Sequence, residues 1–388
     1  MLESRAAPAP ARPVALLMPN FEAGGAERVM LRLAHGLAEQ GHEVDLLVLS
    51  ERGAYRNEVD PRVRVHCLHA ARAWRGIPAL VRYLRQRQPS ALLSALFHAN
   101  FMAVMARRLA NTPTRVVISE HNTLELVRTS VGWARWLAFR VFLRWAYPRA
   151  DAVVCVSQGI AQGLAAAIPR LQPRLHVIGN PVITAELIRQ SRQPLSHPWL
   201  QAGQPPLVLA AGRLIRAKGF DVLLQAFRQV MSRVPAKLVI LGDGPERATL
   251  QAQIAELGLS QAASLQGFTP NPYAWMSRCA VFVLSSRHEG LPGALIEAMA
   301  CGSRVVSTDC PHGPSEILEQ GKWGQLVPVD DVMALADAIV DTLQSRTGPD
   351  VRARAQDYSL AAAVGAYRDI LHLTPPPLAM AAPPRQVG

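Results

Sequence analysis

Short apolar runs alternate with helix-like segments along most of this 388-residue chain, and the alternation starts twice. The first series begins at the strand candidate Val14–Met18, and the second begins at Leu207–Ala211. Between them lies Gln190–Pro206, which is rich in proline, glutamine and serine and is typical of a linker. Because strands that alternate with helices form parallel sheets covered on both faces, the sequence predicts an α/β protein with two Rossmann-like domains.

The same pattern sets the expected domain bounds. The predicted segments are a disordered tail at 1–12, an N-terminal domain at 13–193, a linker at 194–206, a C-terminal domain at 207–357, a helix at 358–373 and a second disordered tail at 374–388. Whether the helix at 358–373 crosses back to the N-terminal domain is left open. In this architecture a ligand binds beyond the C-terminal strand ends, here in the cleft between the domains.

The positive charge of the chain is confined to its first half. Apolar residues make up 49% of the chain and charged residues 18%, which excludes a chain disordered throughout. The net charge is +12, and residues 1–200 hold 25 arginines, no lysine and only 13 acidic residues. The second half is neutral. The excess predicts an anionic partner for the first half, either nucleic acid, a lipid headgroup layer or a phosphorylated substrate.

Cysteine usage and hydropathy limit where the protein works. No two of the five cysteines are spaced as C-x-x-C, so neither a disulfide framework nor a zinc site is expected, and a reducing cytosol is favoured. The first dozen residues lack the apolar core of a secretory signal. No uncharged apolar stretch of about 18 residues predicts a membrane-spanning helix.

The first motif that carries chemistry is Gly24-Gly25-Ala26-Glu27, between the first strand and the first helix. Glycines allow a backbone to approach a phosphate closely, and a helix start offers unpaired N–H groups. A simple tight turn would use the same residues. The motif alone leaves both interpretations open.

The second motif places Arg213 and Lys218 after the strand Leu207–Ala211. A guanidinium offers a planar fork of donors and an ammonium a compact charge, so the pair could hold a diphosphate and neutralise a leaving group. Two solvated cations before a helix are the alternative. Lys218 is one of only three lysines in the chain.

The third motif places two glutamates, Glu289 and Glu297, seven residues apart around a turn rich in glycine and proline. Glu289 is expected on a loop, and Glu297 on a helix that runs to Ala300. A buried carboxylate at Glu297 needs a partner, and a ribose diol can donate to it twice. Amides near Gly290–Leu291 could hold phosphate oxygens. An exposed helix carboxylate at Glu297 is the alternative.

Taken together, these motifs make the chain resemble the retaining glycosyltransferases of family 4, which have the GT-B fold. The family has GGAE, GRLIRAKG, GDGP and the two glutamates in this order and spacing, and the similarity extends from Val14 to about Leu371. The segments Ser307–Leu318 and Gly324–Pro328 resemble members that build bacterial surface polysaccharides and lipid-linked oligosaccharides. The resemblance implies two Rossmann-like domains that face each other across a cleft, and a UDP-hexose or UDP-N-acetylhexosamine donor.

The resemblance also implies roles for single residues. Arg213 and Lys218 match the pair on the donor diphosphate, Glu297 the carboxylate on the ribose, and Glu289 the glutamate near the sugar ring. The donor-binding positions it implies are Gly24, Gly25, Arg213, Lys218, Phe268, Glu289, Gly290, Leu291, Pro292 and Glu297. The positions it implies for catalysis are Glu289, Arg213, Lys218 and His98.

Three residues are assigned to the acceptor side. His98 follows the strand candidate Ala91–Ala95 and resembles the histidine of the N-terminal domain that faces the sugar or acceptor. Its alternative is a structural loop histidine. His121 also follows a strand, but related sequences often have an arginine nearby, so it ranks below His98. Asn180 lies in a segment that resembles the one before the family's linker and is expected to line the cleft.

One segment of the basic half combines arginine with aromatic residues. Arg128–Arg149 holds five arginines, three tryptophans, two phenylalanines and a tyrosine, without an acidic residue. This composition suits the headgroup layer of an anionic membrane. A core helix with arginines that reach solvent along its edges is the alternative. Many members of the family glycosylate polyprenyl-diphosphate-linked sugars at the inner leaflet, so the resemblance favours membrane contact. The location it implies is the cytoplasm, with peripheral binding to the inner face of the cell membrane.

The predicted activity is transfer of a sugar to an acceptor hydroxyl with retention of anomeric configuration. No cofactor and no metal are expected, because the chain lacks an Asp-x-Asp pair. The predicted partners are the nucleotide-sugar donor, a polyprenyl-diphosphate-linked or other glycan acceptor and an anionic membrane, but no nucleic acid. The alternatives are a sugar-nucleotide epimerase of the same fold, a basic nucleic-acid-binding protein, and a soluble transferase for a metabolite or protein.

Overall fold

The computed structural model describes residues 12–374, except for residues 23, 123, 125, 126, 129–132, 312 and 346. Apart from Arg12 and Thr374, the tails predicted at 1–12 and 374–388 therefore lie outside the described residues. Within that part of the chain, no helix is both long enough and apolar enough to cross a lipid bilayer.

The N-terminal sheet has seven strands in the order β3-β2-β1-β4-β5-β6-β7. They are β1 (Val14–Met18), β2 (Val44–Val48), β3 (Val63–Cys67), β4 (Ala91–Ala95), β5 (Arg115–Glu120), β6 (Ala152–Cys155) and β7 (Leu175–Val177). The pairs β3–β2, β2–β1, β1–β4 and β4–β5 are parallel. The strand order reverses between β1 and β4, so the loops after these two strands flank the switch point where ligands bind in such sheets.

Six α-helices are described in this half of the chain, outside the gaps between residues 123 and 132. They are α1 (Gly25–Glu39), α2 (Ala73–Arg87), α3 (Phe97–Ala110), α4 (Trp133–Ala146), α5 (Gln158–Ala167) and α6 (Ala185–Ser191). In α1, the buried residues Val29, Leu33 and Leu37 recur every four positions, which is why the sequence forms an amphipathic helix against the sheet. Gly41 has a φ of +88° just after the helix, which is a conformation that favours glycine.

The C-terminal sheet has six strands in the order β10-β9-β8-β11-β12-β13. They are β8 (Leu207–Ala211), β9 (Lys237–Leu241), β10 (Ala263–Gly267), β11 (Val281–Leu284), β12 (Arg304–Thr308) and β13 (Gln325–Val327). All five neighbouring pairs are parallel. The order reverses between β8 and β11, so this sheet has its own switch point.

The core of this half lies on both faces of its sheet. Successive strand residues point to opposite faces, so Val208 and Ala210 pack in one apolar cluster while Leu207 and Leu209 pack in the other. The helices that cover the sheet are α7 (Phe220–Met231), α8 (Arg247–Glu256), α9 (Tyr273–Met276), α10 (Gly293–Cys301), α11 (Pro314–Ile317), α12 (Val332–Gln344) and α13 (Val351–Ala355). Strands buried on both faces explain the continuous apolar runs in the sequence.

The chain divides into two compact units. Of the described residues, one unit comprises those up to Glu120, Leu137–Val154 and those from Val364 to Thr374; the other comprises those within His121–Trp136 and Cys155–Ala363. The last helix, α14 (Leu360–Ile370), ends in the first of these units. There the Arg115 guanidinium donates to the carbonyl of Ile370 at 2.7 Å.

Candidate active site

The switch point of the C-terminal sheet gathers three of the predicted residues. Arg213 and Lys218 follow β8, and Glu289 follows the neighbouring strand β11. The Lys218 ammonium donates to Glu289 Oε1 at 2.6 Å, with the two side chains 25% and 10% exposed. A cation and a carboxylate that lie far apart in the sequence therefore meet at the edge of the sheet where a ligand is expected.

The Glu289 carboxylate has a second donor that the sequence analysis did not single out. The hydroxyl of Ser286, which is buried, donates to the same Oε1 atom at 2.6 Å. Thr308 in turn donates its hydroxyl to the carbonyl of Ser286 at 2.6 Å. These contacts fix the orientation of Glu289 on its loop. The three-residue spacing of Ser286 and Glu289 was the only signal for this contact in the sequence.

The loops after β8 and β11 are tied together as one block. The Ser285 hydroxyl donates to the carbonyl of Lys218 at 2.9 Å, and the backbone N–H of Arg287 donates to the carbonyl of Ala217 at 2.8 Å. The Arg287 guanidinium donates to the carbonyl of Arg216 at 2.7 Å and binds the carboxylate of Asp221. Lys218 is therefore held by its backbone as well as by its side chain.

Glycine is required where these two loops touch. Gly219 has a φ of +63°, and a Cβ atom there would lie 2.0 Å from the carbonyl oxygen of Ser285. Glycine is also required in the loop after β9. Gly242 has a φ of +128°, and a Cβ atom there would lie 1.9 Å from the carbonyl oxygen of Gly212. Any other residue would push these loops apart.

The GDGP segment supports the loop that carries Arg213. The backbone N–H of Leu214 donates to the carbonyl of Asp243 at 2.9 Å, and the N–H of Gly242 donates to the carbonyl of Gly267 at 2.7 Å. Phe268, the next residue, is 81% exposed. The structure thus brings three motifs of the sequence side by side: Gly212-Arg213, Gly242-Asp243 and Gly267-Phe268.

Arg213 differs from Lys218 in its surroundings. Its side chain is exposed, and among the described residues it makes no hydrogen bond or ion pair. A guanidinium in this state can bind two oxygens of an incoming phosphate without giving up an existing partner.

Glu297 lies on α10, the helix that directly follows the loop of Gly290, Leu291 and Pro292. Its side chain is partly buried and accepts a hydrogen bond from the hydroxyl of Tyr273 at 3.5 Å. The alternative of an exposed helix carboxylate is therefore wrong for Glu297. Tyr273 is a second neighbour of the site that the sequence did not reveal, because it lies 24 residues away on α9.

The switch point of the N-terminal sheet carries Gly24, Gly25 and His98. Gly24 is the N-cap of α1 and Gly25 its first residue, so the unpaired N–H groups of a helix start lie at the end of β1. His98 is exposed in the first turn of α3, with its ring 5.5 Å from that of Phe97. The interpretation of His98 as a loop histidine is wrong, because the helix begins directly after β4.

The remaining acceptor-side candidates, His121 and Asn180, both belong to the second unit. Burial lowers the pKa of His121 to about 4, so its imidazole is neutral at neutral pH. Its carbonyl oxygen lies 3.8 Å from the position that a Cβ on Gly290 would occupy. The Oδ1 atom of Asn180 is buried, and no described residue donates to it. A buried amide oxygen without a donor is suited to accept one from a ligand.

Two family models match the chain, one in each half. Residues 23–186 match "Glycosyltransferase Family 4", and residues 205–345 match "Glycosyl transferases group 1". The first match covers strands β2 to β7 of the N-terminal sheet, and the second covers all six strands of the C-terminal sheet.

Known glycosyltransferases are similar to this chain over most of its length. The chain is 27% identical over 336 residues to the N-acetylgalactosamine-N,N'-diacetylbacillosaminyl-diphospho-undecaprenol 4-alpha-N-acetylgalactosaminyltransferase of Campylobacter jejuni, covering 84% of this chain and 88% of that protein. It is 27% identical to the lipopolysaccharide core biosynthesis glycosyltransferase LpsE of Rhizobium meliloti, covering 81% and 84%. The crystal structure of HepE from Anabaena in complex with UDP superposes with a TM-score of 0.73 at 21% identity, over 93% of this chain and 99% of that one. The predicted GT-B fold is confirmed, and the chain is a glycosyltransferase that belongs to family 4.

Proposed function

We propose that this protein is a retaining glycosyltransferase of bacterial surface-polysaccharide or lipid-linked glycan synthesis. It moves a hexose or N-acetylhexosamine from a UDP-sugar to a hydroxyl group of a lipid-linked glycan. The observation that carries the proposal is the Lys218–Glu289 pair at the switch point, with Arg213 beside it on the same loop. The UDP in the structure of HepE supports the nucleotide, and the diphospho-undecaprenol in the name of the Campylobacter relative supports the acceptor.

In this reaction the bond between the anomeric carbon and the β-phosphate oxygen breaks, and the nucleoside diphosphate leaves. The acceptor oxygen forms a bond to the same face of that carbon, and its proton passes to the departing phosphate. Lys218 and Arg213 stabilise the negative charge that develops on the diphosphate. Glu289 lies beside the positive charge of the sugar ring, and Glu297 accepts hydrogen bonds from the ribose hydroxyls. Catalysis then depends on positioning and electrostatics.

A panel of UDP- and GDP-sugars tests this proposal. Thermal shift first identifies the donor that binds, and transfer to a lipid-linked glycan is then measured with that donor. We expect a UDP-hexose or UDP-N-acetylhexosamine to raise Tm and to be consumed only with acceptor. Conversion of the donor alone into its epimer would favour the epimerase, and a salt-sensitive gel shift without turnover would favour nucleic-acid binding.

Removal of metal ions is expected to leave the activity unchanged. The two cations Lys218 and Arg213 supply the charge that a divalent metal supplies in transferases with an Asp-x-Asp pair. Transfer rates are measured before and after treatment with EDTA, and again after addition of manganese or magnesium. A rate that EDTA abolishes and either metal restores would contradict the metal-independent mechanism.

Membrane binding is proposed on the basis of helix α4. Its residues Phe139 and Leu143 are buried, whereas Leu137 and Val141 on another side are 54% and 61% exposed. The exposed arginines Arg140 and Arg144 lie along the same helix. One face of α4 is thus buried against the protein, and another face is exposed. An exposed apolar face flanked by cations suits an anionic lipid layer.

The double variant Leu137→Glu, Val141→Glu is expected to bind anionic vesicles at least about tenfold more weakly, because each buried side chain contributes about 1.5 kcal/mol or more. Sedimentation with phosphatidylglycerol vesicles measures this. Met333→Glu is the matched control, because Met333 is an apolar helix residue of the C-terminal half that is 48% exposed. Equal binding of the wild type to neutral and anionic vesicles would contradict the proposal.

A further inference from the structure

A pocket of about 750 Å³ lies at the C-terminal ends of β1, β2 and β3 in the N-terminal sheet. None of the residues assigned to the donor or acceptor lines it. The lining residues come from three loops and are Pro19, Asn20, Glu22, Leu49, Ser50, Glu51, Arg52, Cys67, His69, Ala70 and Ala71. The C-terminal strand ends of a parallel sheet are the usual place for a ligand.

The pocket is preformed, because backbone hydrogen bonds join its three loops. The N–H of Phe21 donates to the carbonyl of Arg52 at 2.7 Å, and the N–H of Leu49 donates to the carbonyl of Pro19 at 2.9 Å. The N–H of Ala70 donates to the carbonyl of Leu49 at 2.9 Å, which adds the third loop. A rigid pocket does not have to be ordered when a ligand binds, which favours affinity.

The lining of this pocket differs in charge from the half of the chain that contains it. The carboxylates of Glu22 and Glu51 and the guanidinium of Arg52 line it, and Glu51 also binds the guanidinium of Arg56 at 2.9 Å, so these charges balance. Asn20 and His69 add further polar groups. Within the described residues, the side chains of Glu22 and Arg52 make no hydrogen bond. Because the Glu22 carboxylate offsets the Arg52 guanidinium, the lining has no excess positive charge to hold a diphosphate. Hydroxyl groups can instead donate to the carboxylates and accept from the guanidinium.

We infer that this pocket binds an uncharged sugar unit of the acceptor glycan. The identity of the ligand as part of the acceptor rests on the proposed function, whereas its chemistry rests on the lining. The hydroxyl groups of the sugar pair with Glu22, Arg52 and the Asn20 amide, and its apolar face lies on Leu49 and Ala70. The diphosphate of the acceptor lies outside this pocket.

Cys67 provides a way to observe the ligand directly. It lines the pocket, and its Sγ atom is 3.4 Å from Nδ1 of His69. The other four thiols are poor targets for alkylation. Cys155 is fully buried, and burial raises the pKa of the remaining three to about 12, namely Cys279, Cys301 and Cys310.

The test measures how fast iodoacetamide alkylates Cys67, with Cys67→Ser giving the background. The probes are methyl glycosides of glucose, galactose, mannose and their N-acetylated forms, compared with inorganic pyrophosphate and with glycerol. We expect at least one glycoside to slow the labelling several-fold at a concentration where pyrophosphate and glycerol do not. Protection by pyrophosphate, or by none of the glycosides, would overturn the inference. This measurement needs no catalysis, so it separates failure of the pocket from failure of the proposed transferase.

Variants of the pocket link the ligand to the acceptor. Arg52→Ala and Glu22→Ala are expected to raise the KM for the acceptor about tenfold while the KM for the donor stays unchanged, since each removes a hydrogen bond from a charged group. Arg62→Ala is the matched control, because Arg62 is an exposed arginine of the same unit outside the pocket. An equal rise in both KM values, or no rise in the acceptor KM, would overturn the assignment to the acceptor.

Discussion

Lys218→Ala is expected to lower kcat by about a hundred- to a thousandfold at saturating donor, which corresponds to about 2.7–4 kcal/mol of transition-state stabilisation. The reason is that Lys218 stands at the switch point beside Glu289, where we propose that the diphosphate leaves. A positive charge that is needed only when the diphosphate departs affects kcat more than KM. Initial rates with saturating donor and acceptor measure the effect.

Two further variants show whether the effect is specific. Lys322→Ala removes another lysine of the same unit, with a 64% exposed side chain that binds Glu319, and is expected to leave kcat unchanged. Lys218→Arg keeps the charge but replaces a compact ammonium with a planar fork, so an intermediate rate is expected. Near-normal turnover of Lys218→Ala would refute a role of this residue in stabilising the leaving group.

Gly219→Ala is expected to lower the free energy of unfolding by about 3 kcal/mol or more and to reduce kcat more than tenfold. An added Cβ would lie 2.0 Å from the carbonyl oxygen of Ser285, so the loops after β8 and β11 would have to separate. Their separation would also pull Lys218 away from Glu289. Thermal or urea unfolding and initial rates measure the two effects.

Gly258→Ala separates the effect of crowding from that of backbone conformation. Gly258 has a φ of +68°, close to the +63° of Gly219, but nothing lies within 4 Å of a Cβ built there. This control is expected to lower the free energy of unfolding by only about 1–2 kcal/mol, the strain of a left-handed residue, and to leave kcat intact. Equal effects of the two substitutions would show that contact with Ser285 is unimportant.

The central strands were predictable because burial on both faces leaves continuous apolar runs. The predictions for β1, Val14–Met18, and β8, Leu207–Ala211, agree with the structure residue for residue. The strands at the sheet edges were not singled out, since they are short and partly exposed. In β3, for example, Arg64 and His66 interrupt the apolar pattern, and β13 has only three residues.

The residues of the candidate site and their secondary structure were predictable, but the contacts between them were not. Glu289 lies on a loop and Glu297 on a helix, as their flanking glycines and proline predicted. The pairing of Glu289 with Lys218 bridges 71 residues, and local patterns carry no signal at that distance. The hydroxyls of Ser286 and Tyr273 went unnoticed for a related reason, because serine and tyrosine are common and only the fold brings these two to a carboxylate.

The pairing of Lys218 with Glu289 bears on how the proposed site would bind its donor and release the nucleotide. The Lys218 ammonium already has an anionic neighbour at 2.6 Å, whereas Arg213 has no ion-pair partner among the described residues. Under the proposed role of Lys218, arrival of the diphosphate exchanges one anion for another around this cation. In that exchange the donor would compete with a carboxylate that Ser286 holds in place, and departure of the nucleoside diphosphate would return the lysine to that carboxylate. We therefore expect this pairing to favour release of the nucleotide product over its tight retention.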